Sequence, residues 1–246
     1  MEQQSSSPVN DPATVLREYA TEDRFLARRL TTWAELHGPL VEDATVDAVI
    51  EGQPSRVLEV GCGTGDFSAR LQRQAAIDLV ALDLSARMTA LTSARGLDAV
   101  RADVQALPFR DERFDCVLAN RVLYHVPDLD KGLAEIVRVL RPGGRLVAVT
   151  YSTEHLRELS DLIRAPPIAT TFSAENGAAG LSRHFHPVER RDFTGNARFP
   201  SAAAIRGLLH AYGGFTDVDL SAGLGDVQTP FDATYRHSVF LAQKRS

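Results

Sequence analysis

Glu59-Val60-Gly61-Cys62-Gly63-Thr64-Gly65 follows a short β-rich run, Val57, Leu58 and Val60, and leads into a helical pattern over 66–74. Alternate glycines at a strand-to-helix turn allow positive φ and leave out Cβ atoms. A ligand can then lie against bare backbone beside a helix N-terminus. A dinucleotide fingerprint, G-x-G-x-x-G, would need its third glycine at position 66, where this chain has Asp66. The loop therefore argues for a bound ligand other than a pyrophosphate-bearing dinucleotide.

Outward from this loop, strand and helix patterns alternate. Strands are expected over 77–82, 99–102, 116–119 and 145–150, with helices over 86–95 and 129–140. Such alternation implies right-handed βαβ units, hence a parallel sheet covered by helices on both faces, with ligands across the carboxyl ends of the strands. Further on, the pattern predicts a helix over 154–163, an irregular segment over 166–180, a strand over 188–193, a helix over 202–212 and a last strand over 238–242. Upstream, Val15, Leu16, Tyr19, Phe25, Leu26, Leu30 and Trp33 approximate helical spacing, and a helix over 41–50 stops before Gly52 and Pro54. Residues 1–11 read as a polar disordered tail and 12–246 as a single domain, with a helical lid over 12–52.

Composition narrows the function classes. The 246-residue chain can bury a core without staples, and no apolar run reaches the roughly 20 residues a membrane helix needs. With no secretory pattern at the N-terminus, a cytoplasmic protein with no membrane partner is expected. Its two cysteines, Cys62 and Cys116, fall at a strand end and in a core strand, as buried free thiols do. A net charge of −5 argues against a dedicated nucleic-acid binder; the arginines near 24–29 are interrupted by acids and read as a solvated face.

Further motifs follow in order. Asp83, at a strand end 18 residues past Gly65, can accept hydrogen bonds from both hydroxyls of a ribose, and a helix cap is the structural alternative. Met88 could lie on a flat base or simply pack in the core. Asp103, past the third strand, can accept from an adenine amino group while the Val104 N–H donates to a ring nitrogen. The run from Phe114 to Val126 places Asn120, Tyr124 and His125 where the fourth strand opens, and Leu140 to Leu146 forms a structural turn.

Together these residues resemble the class I S-adenosylmethionine-dependent methyltransferase superfamily, in particular the type 11 group, over about 56–150. The resemblance implies a Rossmann-like α/β fold with a seven-stranded, mostly parallel sheet, an antiparallel last strand and helices on both faces. It also implies an N-terminal lid, a cofactor core over 53–150 and an acceptor-side region over 151–246. It implies S-adenosyl-L-methionine as cofactor, with Gly61, Gly63 and Gly65 near the methionine moiety. Glu59 would belong to the same motif. Asp83 and Leu84 would lie at the ribose, Asp103 and Val104 at the adenine, and Asn120 near the amino-acid portion. Tyr19 or Arg29 of the lid would meet the methionine carboxylate.

On the acceptor side, His125 is the candidate general base, with Tyr124 beside it lining the acceptor pocket or packing under the following helix. His184 and His186 lack a third ligand at matching spacing, so no metal site is expected. Phe172, Phe185, Phe193, Phe199 and Tyr212 suit the roof of an apolar or aromatic small-molecule acceptor, although core packing explains many of them. Oxygen, nitrogen and carbon acceptors stay open, as does the oligomeric state. Methylation of RNA or protein and a non-catalytic cofactor-binding regulator remain as alternatives; Asp66 and Asp103 disfavour an NAD-dependent oxidoreductase.

Overall fold

The computed structural model describes residues 8–165, 170–212, 224 and 227–245. Its strands are β1 Glu35–His37, β2 Arg56–Val60, β3 Asp78–Asp83, β4 Asp98–Arg101, β5 Phe114–Asn120, β6 Leu140–Tyr151, β7 Val188–Phe199 and β8 Phe231–Gln243. They form one sheet in the order β1-β7-β8-β6-β5-β2-β3-β4. The five strands from β6 to β4 run parallel, while β8 lies antiparallel between β6 and β7. The inserted antiparallel last strand is thus present, but the expected seven strands are eight. The addition is β1, which pairs antiparallel with the outer edge of β7.

Helices α1 Pro12–Glu18, α2 Glu22–Ala27, α3 Val41–Ile50, α4 Asp66–Gln74, α5 Ala86–Ala94, α6 Leu129–Val139, α7 Arg157–Leu162, α8 Gly177–Ser182 and α9 Ala202–Tyr212 complete the described elements. On one sheet face Leu58, Val60, Val117 and Ala119 pack with Leu133 and Ile136 of α6. On the other, Val57, Leu79, Cys116, Leu118 and Val147 pack with Val46, Ala48 and Val49 of α3 and Leu71 of α4. The alternation along β2 and β5 sends successive side chains to opposite cores, the two-sided burial that a parallel sheet requires. Both cysteines are buried free thiols.

Several boundaries differ from the sequence reading. Pro8–Asn10, placed in the tail, form a 3-10 turn with Val9 buried; residues 1–7 lie outside the described residues. Within the expected lid of 12–52, α3 belongs instead to the core beneath the sheet and β1 to its edge. α8 starts within the expected irregular segment of 166–180 and runs past its end, while 166–169 lie outside the described residues. β7 and β8 outrun their predicted lengths because the two strands pair over twelve residues, carrying polar Thr194, Asn196 and Arg236 inside the ladder.

Candidate functional site

The strands β5, β2, β3 and β4 are neighbours in the sheet, so their carboxyl ends bring the glycine loop, Asp83, Asp103 and Asn120 to one edge. Gly61, Gly63 and Gly65 all have positive φ, at 71°, 55° and 77°. A Cβ on Gly61 would stand 2.4 Å from Val122 Cγ2, and one on Gly63 would stand 2.7 Å from the Phe25 ring. Both conformation and space therefore require glycine at these two positions. Gly65 also serves as the left-handed residue ahead of α4.

Asp83 ends β3 and organises this loop. Its Oδ2 accepts from the Gly63 N–H at 2.9 Å, and its Oδ1 from the Ser85 N–H at 2.8 Å. The N-cap of α5 is Ser85, whose Oγ accepts from the Met88 N–H. Asp83 is thus a turn-forming acid rather than the helix cap. Burial raises its pKa, although the Ser85 and Gly63 N–H groups oppose that. Leu84 follows, half-buried, with its carbonyl accepting from Arg101 Nε. Asp103 lies past β4 and accepts from the Gln105 N–H at 2.8 Å, while Val104 is buried in the α6-side core. Asn120 closes β5, half-buried at that edge. Met88 is 1 % exposed, buried in the interior of α5.

Glu59 has a different surrounding. It points to the α4 side of β2, is 1 % exposed and accepts a hydrogen bond from Ser68 Oγ. Burial pushes its pKa up to about 8, so the carboxyl is largely protonated at neutral pH. The structure places it behind the glycine loop.

The N-terminal segment covers the loop. Asp11 caps α1 through the Thr14 N–H at 2.8 Å, with Pro12 at the first helical position; Thr21 caps α2. From these short helices Phe25 lies on Gly63, and the Tyr19 carbonyl accepts from Ser85 Oγ at 3.3 Å. Arg29 pairs with Asp66 at the start of α4. The arginines read as a solvated face are partly stitching: Arg28 is buried in an ion pair with Glu18, and Arg24 reaches the same carboxylate at 3.2 Å. Trp33, which the sequence requires to cover something, packs on α9, where Gly207 makes room for its ring.

His125 joins this N-terminal segment to the end of β5. Its Nδ1 is 2.6 Å from the Val9 carbonyl, which can only accept, so Nδ1 carries the proton. Nε2, 2.9 Å from the Tyr19 hydroxyl, is then an acceptor from that hydroxyl. Burial lowers the pKa of His125 to about 4, against the partial support of the Val9 carbonyl. Tyr124 packs edge-on to His125 with ring centres 4.4 Å apart and lies 5.8 Å from Tyr151, while also touching the α6-side core.

Of the aromatic residues expected to roof an acceptor, Phe172, Phe185 and Phe199 are fully buried core, and Phe193 packs against the α3-side core. Tyr212 remains at the site, its hydroxyl donating to the Arg28 carbonyl. In place of the phenylalanines the fold brings Tyr151, His155 and His237 together, with ring centres 4.5 to 4.9 Å apart. Sequence reading missed these because they come from β6, the turn before α7 and β8. His184 pairs with Asp130 at 2.9 Å, and His186 is exposed; among the described residues no group of three His, Cys, Asp or Glu is placed to hold a metal ion.

Residues 58–148 match a family model described as a methyltransferase domain. The chain is 37% identical over 141 residues to a demethylmenaquinone methyltransferase of Renibacterium salmoninarum, covering 54% of this chain and 59% of that protein. It is 40% identical over 164 residues to a malonyl-[acyl-carrier protein] O-methyltransferase of Erwinia billingiae, covering 63% and 64%. The chain thus spans between half and two thirds of these curated relatives. Among solved structures, the [4+2]-cyclase SpnF superposes with a TM-score of 0.63 at 20% identity, covering 98% of this chain and 99% of that one. The YcgJ protein of Bacillus subtilis gives 0.59 at 18% identity, covering 83% and 99%. At these identities the superpositions establish the Rossmann-like fold. No helix among the described residues is long and apolar enough to cross a membrane.

Proposed function

We propose that the chain, whose residues 58–148 match a methyltransferase domain, is a class I methyltransferase that methylates a small-molecule acceptor using S-adenosylmethionine. The observation that carries the reading is the row of positive-φ Gly61, Gly63 and Gly65 with Asp83 and Asp103 at the next two strand ends. The bare glycine backbone, at positive φ in all three residues, suits close approach of the methionine part. Asp83 uses one lone pair of each oxygen within the protein and keeps others for ribose hydroxyls. Asp103 and Val104 stand where an adenine edge would lie. Asn120, Leu84, Met88 and the lid residues Tyr19 and Arg29 complete the set. Glu59 supports the loop from behind.

The bound cofactor supplies an electrophilic methyl carbon for in-line displacement. The chain's own part is to hold the acceptor in line and exclude water, and the lid over Gly63 serves the second purpose. His125 is a weak base here: with its pKa near 4, accepting a proton costs roughly 3 kcal/mol more than for an ordinary imidazole. Its geometry suits another task, holding the Tyr19 hydroxyl and the lid to the end of β5. Tyr124 then lines the acceptor side. A small acceptor fits the acidic balance of the chain better than RNA, and a cytoplasmic location agrees with the sequence. The two curated relatives differ in acceptor, and the family model ends at 148, so acceptor choice belongs to the region beyond it.

Isothermal titration of the full chain tests the proposal. Saturable binding of S-adenosylmethionine and S-adenosylhomocysteine is expected, with no response to NAD. NAD binding without an adenosyl-ligand response would end the reading.

A further inference from the structure

All five tyrosines of the chain and three of its seven histidines gather at one end of the sheet. Ring contacts run from Tyr19 through His125, Tyr124 and Tyr151 to His237 and Tyr235, with centres 4.4 to 5.8 Å apart. Tyr212 joins through the Arg28 carbonyl, and the Arg28 guanidinium lies over the Tyr19 ring. One end of this series is at the proposed cofactor site, where the Tyr19 backbone meets Ser85. Toward the other end lies His237 of β8, opposite Tyr151 of β6 in the ladder.

His237 is 7 % exposed, and its Nδ1 has no hydrogen-bond partner among the described residues. A buried polar nitrogen of this kind is rare and asks for a ligand or an ordered water. Its neighbour His155 is held by the Arg236 backbone, with Nδ1 lying 3.0 Å from the Arg236 N–H and 3.1 Å from the Arg236 carbonyl. Arg121 follows β5 and is neutralised by Glu42 at 2.7 Å.

We infer that this cluster holds the methyl acceptor, and that the acceptor is an uncharged flat ring bearing a hydroxyl that hydrogen-bonds to His237 Nδ1. The inference rests on the methyl-transfer reading. Flat rings match walls built of ring faces and edges. A hydroxyl can donate or accept, so it satisfies Nδ1 in either tautomer. A cationic acceptor would meet Arg121, and an anionic one would find that guanidinium already paired.

The test uses the full chain saturated with S-adenosylhomocysteine and follows histidine ring nitrogens by ¹⁵N NMR. Catechol, 1-naphthol and 1,8-dihydroxyanthraquinone serve as one-, two- and three-ring probes, with naphthalene, benzoate and phenyltrimethylammonium as controls. At least one phenol is expected to shift the His237 ring signals saturably and to bind at least ten-fold tighter than all three controls. His237→Phe should weaken that phenol ten-fold or more while S-adenosylhomocysteine affinity stays within two-fold, and His237→Gln should recover part of the loss. Cofactor binding without any phenol response at His237, equal phenol affinity in His237→Phe, or preference for a charged control overturns the inference and leaves the methyl-transfer reading standing. Failure to bind S-adenosylhomocysteine overturns that reading, and the acceptor assignment with it.

Discussion

At the scale of single residues, Asp83 combines two tasks that the sequence presented as alternatives. It folds the glycine loop through the Gly63 and Ser85 N–H groups, and its remaining lone pairs face the proposed ribose site. Substitutions separate the tasks. Asp83→Ala leaves two backbone donors without their acceptor and should lower stability by about 1–3 kcal/mol as well as cofactor affinity. Asp83→Asn keeps one carbonyl oxygen for the loop but sets its NH2 against the other N–H, so it should lose on the order of 1 kcal/mol in urea, no more than Asp83→Ala, yet bind S-adenosylmethionine at least ten-fold more weakly by calorimetry. Equal affinity in both variants would leave Asp83 only its folding role. Gly61, Gly63, Gly65 and Asp83 were legible in the sequence because their chemistry is local, set by strand ends and φ. Glu59 was misplaced because strand alternation, which turns it toward Ser68, outweighs its nearness to the loop in sequence. His237 was invisible, since only the β6–β8 pairing brings it beside Tyr151.

Among the elements, the lid departs most from its sequence outline. Trp33 fixes its far end on α9 at Gly207, Arg29 ties it to α4, and Phe25 rests on Gly63. Phe25→Ala should uncover the loop while leaving both anchors in place. Cofactor association measured by stopped flow should then quicken several-fold, and turnover should fall as water gains access. An unchanged association rate would place the cofactor's path elsewhere. The parallel strands β2 to β6 and their helices followed from hydrophobic periodicity, which acts within each segment. β1 escaped because Glu35-Leu36-His37 is too short to show a period and gains its pairing only from β7. The second half of β7, past the expected 188–193, contains Gly195; a Cβ there would stand 2.1 Å from the Tyr235 hydroxyl, so a packing demand explains the glycine.

For the whole molecule, the buried titratable groups set how stability varies with pH. Burial lowers His125 and His155 to about 4 and His237 well below its usual value. An unfolded histidine titrates near 6.5, so between about 4 and 6.5 the unfolded chain binds protons that the folded one refuses. The histidine contribution is fully present above 6.5 and is lost as pH falls through that window, by up to roughly 3 kcal/mol for a histidine held at 4. Glu59 runs oppositely: its folded pKa of about 8 means that stability declines as pH rises from its unfolded value toward 8. Three histidines outweigh Glu59 on the acid side, and Glu59, with Asp83 raised in the same direction, acts on the other, so urea midpoints should peak near pH 6.5 to 7. His237→Phe should flatten the acid limb and Glu59→Gln the alkaline one. A profile without an acid limb would mean that the three imidazoles are hydrated.

The chain has a single tryptophan, and it is Trp33, seated where the lid meets α9. Its indole N–H donates to the Ala27 carbonyl at 2.7 Å, so the ring's polar edge is held by the lid itself while its benzene edge fills the notch at Gly207. Tryptophan emission therefore has one source, at the joint between the N-terminal segment and α9. Undocking would carry the indole into water and redshift its spectrum, letting lid motion be timed optically in the unlabelled protein.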